Sequence, residues 1–148
     1  MTPQLSADTL RLTQAQYATI IGNCYDGLPE EACGLLVGPL GMNGEPTGVV
    51  SEARPCRNAD ASAVTYTIDP RDMLGAMRAA EARGDEIVGV WHSHTHTEAY
   101  PSPTDVRQAV DPAWLYVIVS LRDEAPMLRS YRIRDGEIAE TAVELDRG

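Results

Sequence analysis

Lysine is absent from this 148-residue chain: all 12 basic residues are arginine, against 22 acidic ones. Without lysine there is no Schiff-base catalysis, no pyridoxal phosphate anchor and no phosphate-binding loop ending in Gly-Lys. Positive charge is scarce altogether. The formal net charge of -10 repels phosphate backbones and anionic lipid surfaces, so neither nucleic acid nor membrane is an expected partner. Cysteine is also sparse. Cys24, Cys33 and Cys56 are an odd set with no C-x-x-C pair, which suits reduced thiols better than a disulfide framework. The opening MTPQLSADTLRLTQ has neither a basic start nor an apolar run, so no signal peptide is expected and the expected location is cytoplasmic. No repeat, low-complexity stretch or linker divides the sequence, and residues 1–148 are expected to form a single domain.

The apolar pattern predicts alternating strands and helices. Thr13 with Gln16 makes a capping box, followed at helical spacing by Tyr17, Ile20, Ile21, Cys24 and Leu28, with a stop at Gly27 to Pro29. A strand over Ala32 to Val37 follows, then strands near Val49 to Arg54 and Val64 to Ile68. Asp69-Pro70 starts a second helix whose apolar face is Met73, Leu74, Met77 and Ala80, with Gly84 as its C-terminal cap. The continuous apolar run Ile87 to Trp91 reads as a buried central strand that leads directly into His92. Ser102, Pro103 and Asp105 open a short third helix, with Val106, Ala109 and Val110 inward. A strand over Trp114 to Leu121 comes next. A hairpin with Tyr131 and Ile133 inward, Arg132 and Arg134 outward and a turn at Asp135-Gly136 ends near Leu145. The expected class is α/β, a mixed sheet covered by helices.

All three histidines, His92, His94 and His96, fall within five residues. On a strand, side chains alternate between faces. His92 and His94 therefore point the same way, about 6.6 Å apart along the backbone, while Ser93 points away. Two imidazoles on one face suit zinc, which in catalytic sites takes three protein ligands and keeps one position open. The third ligand is Asp105, at the helix start that follows the loop, or His96 if the strand continues; the loss of strand character from Thr95 to Pro101 favours Asp105. Taken singly, H-x-H also describes solvated histidines and S-x-x-D also describes a helix cap. The H-x-H-x-D-H pattern of metallo-β-lactamases fails at Thr95 to Glu98. The deaminase pattern fails as well, because Pro55-Cys56 has no second cysteine at the required spacing.

Glu31, His92-x-His94, seven residues, Ser102, two residues and Asp105 together resemble the JAMM motif of the JAMM/MPN+ zinc metalloproteases, with no position missing. Glu31-Ala32-Cys33-Gly34-Leu35-Leu36-Val37-Gly38 is similar to that family's glutamate-bearing strand. HSHTHTEAYPSPTDV is closest to the bacterial Mec-type peptidases that act on ubiquitin-like sulfur-carrier proteins, departing at His96, where a small residue is expected. The resemblance implies an MPN/JAB (cytidine-deaminase-like) fold. It implies Zn2+ held by His92, His94 and Asp105, Glu31 as general base in preference to its neighbour Glu30, and Ser102 as oxyanion donor. Tyr100 is a candidate substrate contact, Cys33 is read as a packed thiol rather than a ligand, and Arg54 or Arg57 could meet the carboxylate of a released residue. The implied activity is hydrolysis after the C-terminal Gly-Gly of a ThiS/MoaD-like carrier, releasing an amino acid such as cysteine or a tail. The competing reading is a non-catalytic zinc-containing module that binds a carrier or partner.

Overall fold

The computed structural model describes residues 8–109 and 111–146. Ten elements follow one another: β1 (Thr9–Thr13), α1 (Gln14–Asp26), β2 (Cys33–Gly38), β3 (Glu52–Cys56), α2 (Pro70–Arg83), β4 (Glu86–His94), α3 (Pro103–Gln108), β5 (Leu115–Ser120), β6 (Met127–Arg134) and β7 (Glu137–Asp146). The strands form one mixed sheet in the order β1-β7-β6-β5-β4-β2-β3. The β4–β5 and β1–β7 pairs are parallel and the others antiparallel. The sheet curls until its two edges approach: Arg11 on β1 donates its N–H to the Gly48 carbonyl at 2.8 Å, and Val50 donates back to the Arg11 carbonyl at 3.1 Å. The α/β expectation of a mixed sheet covered by helices holds.

Each face carries its own core. Leu10, Leu12, Ile20, Cys24, Leu36, Trp91 and Val117 pack together on the α1 side. Leu35, Ala76, Val90, Tyr116, Ile118 and Tyr131 pack on the α2 side. Adjacent residues such as Leu35 and Leu36, or Val90 and Trp91, thus serve opposite faces, which is why β2 and β4 read as unbroken apolar runs. Gly34 is needed for one close approach: a Cβ there would lie 2.1 Å from Cζ2 of Trp91. The helix ends behave as their sequences require. Thr13 and Gln16 form a capping box, Asp69 caps α2, and Gly84 ends α2 in the left-handed region at φ 74°.

Several expectations are corrected. β1 was not anticipated; it buries Leu10 and Leu12 against a parallel partner at the far end of the chain. The strand expected near Val49 to Arg54 forms over β3 instead, because Val49 and Val50 are drawn to Arg11. Val64 to Ile68 forms no strand. The Asn58 side chain takes over its backbone groups, donating to the Thr65 carbonyl and accepting from the Thr67 N–H, each at 3.0 Å. On α2 the small residues Ala76 and Ala80 meet the sheet, leaving Leu74 and Met77 exposed at its flanks. Leu28 lies beyond the end of α1 and is exposed. Arg132 is buried rather than outward, since β6 is an internal strand, and its Nη2 reaches the Pro112 carbonyl. Val110 lies outside the described residues.

Candidate metal centre and its cleft

β4 runs three residues past its apolar stretch, so His92 and His94 continue the row of Val90 on the α2 face. Ser93 faces the other way and fastens β4 to the segment before β2. Its Oγ accepts the Ala32 N–H at 2.8 Å, and its own N–H donates to the Ala32 carbonyl at 3.0 Å. This clamp fixes Glu31. The Glu31 N–H donates to the Ser62 carbonyl at 2.7 Å, and its carbonyl accepts from Asn58 Nδ2 at 3.0 Å. Asp105 comes from the other direction, as the third residue of α3. Its backbone N–H donates to Ser102 Oγ at 3.1 Å, and its Oδ2 accepts the Ser102 N–H at 2.9 Å.

These elements bring His92, His94 and Asp105 together. The two Nε2 atoms are 3.1 Å apart. His92 Nε2 lies 3.2 Å from Asp105 Oδ1, and His94 Nε2 lies 3.0 Å from Asp105 Oδ2. Ligands at about 2.0 Å from a tetrahedral ion lie about 3.3 Å from one another, and the separation of the two imidazole nitrogens and the approach of each to one Asp105 oxygen are of that size. The His94 ring is already oriented for it. Nδ1 is 2.8 Å from the Glu98 carbonyl, so Nδ1 carries a proton and donates it there, and Nε2 is the ring atom turned toward Asp105. Tyr66 stacks on His92 with centroids 4.4 Å apart and shields its open face. Two imidazoles and a carboxylate in a mostly dry pocket are a donor set for zinc, and the residues present fit the ion.

Burial and mutual contact shape the charges. Burial raises the Asp105 pKa, but the hydrogen bonds from His92 and His94 outweigh it and hold the carboxyl well below the usual range. Burial pulls the His92 pKa down, opposed by Asp105. For His94, burial pulls the same way, but hydrogen bonds to Asp105 and Glu98 with the nearby acidic charges raise the balance. Glu31 is only 6% exposed. Burial pushes its pKa up to about 7, the charge of His94 pulling down and that of Asp105 adding to the rise. Among the described residues no side chain donates a hydrogen bond to its carboxylate.

Glu31, His94 and Ser102 share the walls of a narrow cleft of about 170 Å3, together with Ala63, Thr95 and His96. His96 stays out of the ligand triangle, at the cleft wall. Glu30 is exposed on the preceding turn. Cys33 is fully buried, and burial pushes its thiol up to about 12, as befits a packed residue. Tyr100 is half exposed, edge-on to Tyr131, and lines a neighbouring hollow with Ser120 and Arg129 rather than the Glu31 cleft. Arg54 is engaged by Glu52 at 2.6 Å, while Arg57 is exposed beside Asp72, to which its N–H donates. Sequence reasoning missed Tyr66, Asn58 and Ser93. Only the alternation at Ser93 gave a sign of its place.

Comparison with known proteins agrees with this architecture. Residues 13–134 match the family described as prokaryotic homologs of the JAB domain. A protein of Mycobacterium tuberculosis named CysO-cysteine peptidase is 44% identical over 116 residues, covering 78% of this chain and 76% of that one. A Haloferax volcanii protein named desampylase is 36% identical over 121 residues, covering 78% and 84%. The solution structure of a Desulfitobacterium hafniense protein superposes with a TM-score of 0.83 at 32% identity, covering 94% of each chain.

Proposed function

Because the chain belongs to the prokaryotic JAB-domain family of JAMM/MPN proteins, we propose that it is a zinc-dependent peptidase acting on a ubiquitin-like sulfur-carrier protein of the ThiS/MoaD-like type. It hydrolyses the amide bond after the carrier's C-terminal Gly-Gly and releases an amino acid such as cysteine, or a tail. The observation that carries this reading is the shared cleft: Glu31 and Ser102 face the same narrow slot as the metal ligand His94. The names of the Mycobacterium and Haloferax relatives support the substrate class. No helix among the described residues is long and apolar enough to cross a membrane, and the proposed setting is the cytoplasm.

His92, His94 and Asp105 would hold the zinc, which supplies Lewis acidity and lowers the pKa of a water ligand to about 7. Glu98 positions His94 through its carbonyl. Glu31 takes a proton from the attacking water and returns it to the departing amine nitrogen. A buried carboxyl that shares the cleft wall with His94 is placed to do both. Ser102 accepts the Asp105 N–H through its oxygen, so its own hydroxyl hydrogen is free to donate to the developing oxyanion. Tyr100, half exposed at the neighbouring hollow, is the proposed contact for the body of the carrier outside the slot.

The test pairs zinc analysis with mass spectrometry of a carrier ending in Gly-Gly-Cys, for the wild type and Glu31→Ala. One equivalent of zinc in both, with loss of the terminal residue only in the wild type, is the expected result. Zinc without any cleavage would favour the non-catalytic binding module, and a protein that takes up no zinc would overturn the reading.

A further inference from the structure

Three polar side chains of the cleft are left unused by the reaction above: Thr95, whose hydroxyl is engaged by the Ala63 carbonyl, Thr97, and the imidazole of His96. His96 lines it beside Glu31 and Ser102, is exposed, and makes no hydrogen bond among the described residues. Its backbone is nonetheless held firmly. His94 Nδ1 meets the Glu98 carbonyl, Thr95 Oγ1 donates to the Ala63 carbonyl at 3.1 Å, and Ser120 Oγ donates to the Thr97 carbonyl at 2.6 Å. Tyr131 donates its hydroxyl to the Ala99 carbonyl further along the same loop. A loop fastened at residues on both sides of His96 presents that imidazole to the cleft at little further cost in order.

A peptidase that releases a single amino acid meets a free carboxylate one residue beyond the scissile bond. A protease that cuts an isopeptide to a protein lysine meets none there. No cationic side chain competes with His96 for that carboxylate, since no arginine lines the cleft and the chain has no lysine; the Thr97 hydroxyl is the other donor there. Glu31, which shares the cleft, would repel the carboxylate. We infer that His96 donates a hydrogen bond to the free carboxylate of the departing amino acid, and so selects carriers with one C-terminal residue over isopeptide conjugates, a role that rests on the peptidase function proposed above. An imidazole N–H can make this bond to a carboxylate whether or not the ring is charged.

Two carriers identical except at the last carboxyl separate the possibilities: one ends in Gly-Gly-Cys with a free acid, the other in Gly-Gly-Cys amide. Zinc-loaded wild type is expected to favour the acid by about tenfold in kcat/KM, expressed in KM. His96→Ala is expected to bring the preference to about one. His96→Gln, whose amide still donates, is expected to recover part of it. No preference in the wild type, a preference that survives in His96→Ala, or a Gln variant no better than Ala would overturn the assignment. Loss of zinc from His96→Ala would make His96 a ligand and overturn it as well. If zinc-loaded wild type cleaves neither carrier, the peptidase function itself falls, and the role of His96 with it.

Discussion

Replacing Glu31 by Gln is expected to make the metal-free protein less sensitive to rising pH. The Glu31 carboxyl is buried to 6% exposure, and its pKa is raised from 4.5 to about 7. The unfolded chain loses that proton near pH 4.5, whereas the folded protein holds it until about 7. Stability is therefore greatest below the unfolded value, falls as pH rises through this window, and levels off above the folded value. Each pH unit of displacement is worth about 1.4 kcal/mol, so between pH 5.5 and 8 the wild type is expected to lose about 2 kcal/mol more than Glu31→Gln. Urea unfolding of both proteins in chelator at those two pH values measures the difference, and other titrating groups largely cancel in it. The lower value stays clear of the isoelectric point, near 4.6. A difference between the proteins that does not change with pH would refute the reasoning. A pH-dependent one would show that the reactive carboxyl is kept at a cost in stability.

Ser102→Ala is expected to retain zinc and fold while kcat falls about 100-fold or more, from loss of one oxyanion donor. It also loses the cap of α3, which denaturant unfolding would record as about 1 kcal/mol; unchanged kcat would remove Ser102 from the reaction. Gly34→Ala would bring a methyl group against the Trp91 ring, whose Nε1 is tied to Asn23 Oδ1 at 3.0 Å. A loss of about 3 kcal/mol is expected from thermal unfolding, and a neutral result would mean that β2 and Trp91 part more readily than their packing suggests.

The metal ligands were legible because they depend on short-range geometry. The alternation of a strand and the first turn of a helix are both written in consecutive residues, which put His92 and His94 on one face and Ser102 and Asp105 at a helix start, while the choice of Asp105 over His96 was settled by resemblance. Glu31 was reached by resemblance alone, since its neighbourhood depends on β2 lying beside β4. β1 shows the same limit. Thr9–Thr13 has the alternation of a strand, but its parallel partner spans Ala142 to Asp146, and no local signal names that pairing. Met73, Leu74, Met77 and Ala80 look like one stripe on paper. Met73 and Ala80 do face the sheet, but Ala76 takes the place of Leu74 and Met77, because alanines allow the closer approach. Tyr66 could not be assigned from sequence, because its stacking partner is reached through a loop built on Asn58.

The Ser93 clamp also orders events in time. Asp105 follows His94 by only 11 residues, a loop that closes at small entropic cost, so the metal-binding half of the centre can assemble early. The clamp joins residues 61 positions apart and exists only once β2 has docked on β4. A chain with His94 and Asp105 already joined therefore still lacks Glu31 beside them. On the proposed reading, hydrolytic competence waits for the long-range pairing of β2 with β4.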